Sequence, residues 1–343
     1  MQSLAAPHRM AYRLVGDRTG EPWLLLHGGP GASGQAGMLR PLDLSRQWAA
    51  VPDQRGAGAS RPRGRIARNT TPLLVSDLEA LRQSLGVKRW HVLAGSWGTV
   101  VALAYAQRYP ERVERMVLRG AFGVTRRELA GLLQPCSGVR HMAGREPLWP
   151  WAPGYGVPSV LAALRHVVQS GTLGVAGLRA VRHWNRLEMA CALLGMRRSL
   201  RHAAANGDKA LALRIRRDTA QLQRGLRRSK ARARLLRTLP ADKGLQTKYR
   251  VQGHYLAHHG FVRPGALDRA VRTAARSGIA VDWVHGQFDA VCPSANSQRW
   301  AAMGPAPGQP LRLHLTRCGH LGHEADTLDA LRRVVRSSKG RAR

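Results

Sequence analysis

The sequence predicts an α/β fold: a mostly parallel sheet flanked by helices, interrupted by an inserted helical segment. Three observations carry this: short apolar runs rich in β-formers, helical periodicity between them, and a long middle stretch in which the strands lapse. The runs Trp23 to Leu26, Trp90 to Ala94, Met116 to Leu118, Val281 to Val284 and Leu311 to Leu315 read as buried parallel strands, because they lack the polar alternation of a strand with one wet face. Between them, Leu74, Leu78, Leu81 and Leu85 fall on one helical face, and a second helix is expected from about Trp97 to Tyr109, where Pro110 stops it. From about Thr125 to Gly278 helical and Pro/Gly-rich segments follow one another without a strand series. The expected organisation is therefore a core of residues 1–124 and 279–343, split by a helical cap at 125–278. A chain of 343 residues, 44% hydrophobic, is long enough for one large core and a second lobe.

Composition narrows the function classes. The chain carries 55 Lys and Arg against 20 Asp and Glu, a formal charge of +35, so polyanions are expected to adhere to it non-specifically. Only 5% of residues are aromatic, which leaves few rings for a single-strand stacking platform. Within the insertion, Arg197 to Arg237 holds fourteen Lys and Arg threaded by Leu211, Leu213, Ile215, Leu222 and Leu226, the pattern of helices with a basic outer face. Cys136, Cys191, Cys292 and Cys318 have neither the spacing of a zinc site nor the density of a secreted disulfide scaffold, so a reducing compartment and no metal are expected. Met1 to Leu14 shows no secretory signal, and the uncharged windows Trp90 to Gln107 and Pro147 to Leu164 are broken by glycines and prolines. A cytoplasmic protein without a membrane span is expected.

The chemistry sits in the loops after the strands. Val92 to Thr99 runs a strand into a helix through Gly95-Ser96-Trp97-Gly98, a nucleophile elbow in which small neighbours let one hydroxyl project above the sheet; Ala94 stands where the usual pattern has its first glycine. His27-Gly28-Gly29-Pro30-Gly31 follows an earlier strand and can aim backbone N–H groups inward. The N–H groups of Gly29 and Trp97 are the candidate oxyanion-hole donors. Asp289 lies just past the strand Val281 to Val284 and His320 just past the strand Leu311 to Leu315, with His314 and His323 as rival histidines; His320 is preferred because it follows a glycine in a post-strand loop. Serine, then acid, then histidine, each beyond the carboxyl end of its own strand, is the chain order of an α/β hydrolase.

Several motifs together resemble the proline iminopeptidases, the serine prolyl aminopeptidase branch of that fold. They are His27 to Gly31, Asp53-Gln54-Arg55-Gly56, Asn69-Thr70-Thr71, Gly95 to Gly98, Ala102 to Gln107, Leu118-Arg119-Gly120, and Val284 to Pro293. The resemblance is dense over about residues 10–124 and 280–325 and patchy in the insertion. It implies Ser96 as nucleophile, His320 as general base and then acid, Asp289 as the group that orients the imidazole, and no cofactor. It also implies a substrate pocket under the cap for a small peptide with a free N-terminus. Trp184-Asn185-Arg186-Leu187-Glu188 resembles that family's Trp-x-x-x-Glu, which makes Glu188 the expected ammonium partner. Gln252 stands where a second acid is expected, in Gln252-Gly253-His254-Tyr255-Leu256, which puts Tyr255 and Leu256 beside it; Phe122 and Cys292 match pocket positions.

The expected activity is release of an N-terminal residue, preferably proline, through an acyl-enzyme. Two alternatives use the same residues differently. One is a general esterase or amidase with the same three residues, suggested by Gln252. The other is a basic anion-binding protein on an inactive scaffold, suggested by the arginine-rich cap.

Overall fold

A computed structural model describes residues 7–144, 154–169, 172–304 and 311–337. Seven strands form one sheet: β1 (Tyr12–Gly16), β2 (Glu21–Leu26), β3 (Gln47–Pro52), β4 (Trp90–Gly95), β5 (Val113–Arg119), β6 (Ala280–Gly286) and β7 (Leu311–Thr316), in the order β1-β3-β2-β4-β5-β6-β7. Every neighbouring pair is parallel except β1 with β3. The five expected strands all lie within this sheet. The two that periodicity missed are β1, whose residues stay largely solvated at the edge, and β3, whose centre is the small pair Ala49-Ala50 rather than branched or aromatic residues.

Because side chains alternate across a strand, each strand feeds two cores. Leu24, Leu26, Val92, Ala94, Met116 and Leu118 face α1 (Thr71–Ser84), α2 (Trp97–Arg108) and α9 (Ala266–Arg276). Trp23, Leu25, Leu93, Val117 and Val284 face Leu331, Val334 and Val335 of α11 (Ala325–Arg336). Leu74, Leu78 and Leu81 of α1 are buried as their spacing requires. Gly98 lets α2 come down on the sheet, since a Cβ there would lie 2.4 Å from the Leu26 carbonyl oxygen.

Between β5 and α9 the described residues form six α-helices: α3 (Arg126–Leu133), α4 (Ser137–Ala143), α5 (Val157–Gln169), α6 (Val175–Ala205), α7 (Lys209–Ala233) and α8 (Pro240–Ala257). The apolar cluster on the α2 face runs on into them through Leu129, Leu164, Trp184 and Tyr249, so the cap is welded to the core rather than perched on it. A capping box opens α3: Glu128 accepts from the backbone of Gly123 and Thr125, and also from Asn296 Nδ2 at 2.9 Å, which ties the first cap helix to α10 (Ala295–Ala301). At the far side, Arg182 on α6 binds Asp242 at the start of α8 with two hydrogen bonds, 2.9 and 2.7 Å, and also reaches the Arg232 carbonyl in the last turn of α7 and the Arg237 carbonyl beyond it. The helix α9 packs on α2 and leads directly into β6, apart from the helices before it. Residues 1–6, 147–153 and 338–343, on which parts of the signal, membrane-window and core expectations fall, lie outside the described residues. No helix among the described residues is long and apolar enough to cross a membrane.

Candidate active site

The elbow forms where β4 ends. Ser96 has φ 56° and ψ −126°, a left-handed backbone that costs a non-glycine residue about 1–3 kcal/mol, and it is held there by its N–H donating to the Arg119 carbonyl at 2.9 Å. The hydroxyl is thereby lifted clear of the strand and set at the N-terminus of α2, whose first N–H, that of Trp97, has no carbonyl of its own helix to bind. Gly28 passes directly over it: a Cβ there would lie 3.2 Å from Ser96 Cβ and 3.7 Å from Oγ. The His27 to Gly31 loop is fixed from beneath by His27, which is bonded through Nδ1 to the Gly28 carbonyl (2.8 Å) and accepts at Nε2 from Gln54 N–H (3.0 Å). Burial lowers the His27 pKa, and this arrangement suits the neutral ring.

The acid and the imidazole meet across the ends of β6 and β7. His320 Nδ1 lies 2.7 Å from Asp289 Oδ2, and Asp289 Oδ1 accepts from the N–H groups of Val291 and Cys292, both at 2.8 Å. Burial pushes the Asp289 carboxyl up, but the charge of His320 and hydrogen bonds from His285 and His320 outweigh it and hold the group well below the usual carboxylate range. With Nδ1 engaged, Nε2 of His320 is the nitrogen left for Ser96. The Arg119 guanidinium donates to the His320 carbonyl, and Glu324 accepts from Gly319 N–H (2.8 Å) and Leu321 N–H (2.7 Å), so the histidine loop is pinned on both sides of the ring. Sequence reasoning gave no role to Glu324, although it sits four residues after the chosen histidine.

A cavity of about 550 Å³ opens above these groups, lined by Ser96, Trp97, Gly29, His320, Glu188 and Lys248, among others. Ser96 Oγ is directed at Cys292 Sγ, 4.0 Å away, and no hydrogen bond joins it to His320 among the described residues. Burial, with Asp289 and Glu128 nearby, raises the Cys292 thiol well above its ordinary value, so it stays protonated and does not compete as a nucleophile. Of the rival histidines, His314 is bonded to Asp282 (2.9 Å), and His323 lines the cavity without a hydrogen bond to Asp289.

The cap side of the cavity comes mainly from α6, which presents Asn185, Glu188, Met189 and Ala192 as one helical stripe, and from α8, which presents Lys248 and Gln252 one turn apart, with Leu132 of α3 and Leu222 of α7 beside them. Gln252 Nε2 donates to Glu188 Oε1 at 2.7 Å. Phe122 and Cys292 line the cavity as expected, whereas Tyr255 and Leu256 do not. Both lie farther along α8, where it descends onto the core: Tyr255 packs edge-on against Trp97 and donates to Asn69 Oδ1 at 2.7 Å, and Leu256 joins the apolar cluster. Lys248 carried no role in the sequence reading, though its spacing of four from Gln252 puts it on the same face. Among the described residues no group of three or more His, Cys, Asp or Glu side chains is placed to hold a metal.

Fold and site together define an α/β hydrolase, and residues 21–143 match the family model described as alpha/beta hydrolase fold. Solved structures agree in fold: a meta-cleavage product hydrolase, 22% identical, covers 97% of this chain and 95% of its own at a TM-score of 0.55. An esterase from Rhodococcus sp., 18% identical, covers 96% of this chain and 95% of its own at 0.54. The chain belongs to the proline iminopeptidase family. It is 31% identical over 333 residues to the proline iminopeptidase of Xylella fastidiosa, spanning 94% of this chain and 91% of that protein, and 29% identical over 330 residues to that of Xanthomonas citri, spanning 96% and 92%.

Proposed function

We propose that this protein is a serine exopeptidase that releases an N-terminal residue, preferably proline, from small peptides in the cytoplasm through an acyl-enzyme. The observation that carries the reading is the 2.7 Å bond between His320 Nδ1 and Asp289 Oδ2, in a cavity that Ser96 enters from a strained elbow. His320 Nε2 takes the Ser96 proton as Oγ attacks the scissile carbonyl carbon, and Asp289 stabilises the imidazolium that results. The oxyanion is met by the N–H groups of Trp97 and Gly29. Collapse breaks the C–N bond, the leaving amine takes the proton from His320, and the acyl group remains as an ester on Ser96. Water, deprotonated by His320, then attacks that ester and frees the acid.

Membership of the proline iminopeptidase family supports proline as the preferred residue. Prolyl and alanyl arylamides assayed with wild type and Ser96→Ala test the reading. Wild type is expected to favour the prolyl substrate, and Ser96→Ala to lower kcat by about 10⁴-fold or more. A variant that keeps its turnover removes Ser96 as nucleophile. The esterase reading is favoured by the intramolecular pairing of Glu188, and a short-chain aryl ester hydrolysed far better than prolyl amide would select it.

A further inference from the structure

A second cavity, of about 350 Å³, opens within the cap where α4, α6 and α7 meet. Leu193 and Arg197 stand one turn apart on α6, and Gln223, Arg227 and Lys230 follow at helical spacing on α7, so each helix gives the cavity one row of side chains. Ala192 and Leu222, the residues before Leu193 and Gln223, line the catalytic cavity instead, and the two cavities share no lining residue among those described. The α6 and α7 helices are therefore a wall between two separate chambers. In the second, Leu193 and Leu226 are buried and Met142 is half-buried, which makes an apolar floor, while Arg197, Arg227 and Lys230 are exposed around it. Elsewhere in the cap a converging arginine finds an acid, as Arg182 finds Asp242. Here, among the described residues, no carboxylate lines the cavity and none pairs with these three cations. Arg197 Nη1 donates to the Met142 thioether at 3.1 Å, a weak acceptor that neutralises nothing. Like charges one turn apart, as Arg227 and Lys230 are, repel each other, and a bound anion would relieve that repulsion.

We propose that this cavity is a binding site for a small phosphate monoester, whose phosphate is held by Arg197, Arg227 and Lys230 and whose apolar group rests on Leu193, Leu226 and Met142. Two guanidinium forks and one ammonium match a tetrahedral dianion with three terminal oxygens, whereas a flat carboxylate satisfies one fork and leaves the other cations unpaired. The site lies outside the catalytic machinery, and a ligand in it bridges α4, α6 and α7.

Calorimetric titration of the full chain with phenyl phosphate, inorganic phosphate and benzoate tests this, in about 0.15 M salt so that the general field of the basic surface is screened beyond about 8 Å. Phenyl phosphate is expected to bind one per chain, about tenfold or more tightly than benzoate and more tightly than inorganic phosphate. The double variant Arg227→Gln/Lys230→Gln is expected to weaken it about tenfold or more. Arg272→Gln/Arg276→Gln removes the same two charges from exposed positions on α9 and is expected to change affinity by about twofold or less. Because it binds the folded chain, phenyl phosphate is also expected to raise the unfolding temperature of wild type and not of Arg227→Gln/Lys230→Gln. Many weak sites per chain, equal losses in the two double variants, a benzoate or inorganic phosphate affinity that matches phenyl phosphate, or no binding at all each overturn the proposal. The four residues changed are all exposed, so the comparison removes charge without opening a core.

Discussion

At Asp289, burial and charge pull one carboxyl in opposite directions, and the charges win. Asp289→Asn keeps the shape but offers His320 an amide, so kcat is expected to fall by about 10³- to 10⁴-fold with little change in KM, read from steady-state kinetics on a prolyl arylamide. Glu324 behaves in the opposite way. Burial raises its pKa from 4.5 to about 7. As pH rises through that window the unfolded chain releases this proton while the folded chain keeps it, so stability falls with rising pH and the difference vanishes below 4.5. Relative to Glu324→Gln, wild type is expected to lose about 3 kcal/mol between pH 4.5 and 7, measured by urea unfolding; parallel curves for the two proteins would exclude this. Single residues were legible where backbone chemistry marks them: Ser96 between glycines, His320 after Gly319. Lys248 was not, because nothing in a one-dimensional pattern says that a lysine on α8 meets a glutamate sixty residues away on α6.

The elements hold these groups in place through a few buried charge pairs. Arg182 and Asp242, each 3% exposed, staple α6 to α8, the two helices that wall the cavity. Arg182→Ala leaves Asp242 buried without its cation and is expected to cost about 3–5 kcal/mol, seen as a lower urea midpoint and faster amide exchange in α8. An Arg182→Met/Asp242→Leu pair is expected to recover most of that loss, because desolvating the two charges offsets much of their attraction. Strands of branched and aromatic residues were readable from their own sequence. The edge strand β1 was not, since its exposed residues gain their structure only from pairing Tyr12 with Pro52 through Gly16 with Trp48. On α8 the same limit appears within one helix: of residues 248, 252, 255 and 256, only the first two line the cavity.

Across the whole molecule, +35 formal charges lie mostly on arginine, and α7 displays them outward while burying Leu211, Ile215 and Leu226. Binding to a polyanion such as heparin or duplex DNA is expected to be non-specific, with log K falling linearly against log salt, while kcat on a small neutral substrate stays level. Fluorescence anisotropy at 50 and 200 mM salt measures this, and affinity unchanged by salt would point to a specific site instead. The amino-acid sequence by itself determined the hydrolase class and the order serine, acid, histidine, because strand composition, turn chemistry and the elbow are local and each is written in a few adjacent residues. Only the tertiary structure decided which cap residues face the cavity and that Glu188 already holds a cation. Those facts depend on how separate helices cross, and hydrophobic periodicity fixes which side of a helix is buried without fixing what it is buried against.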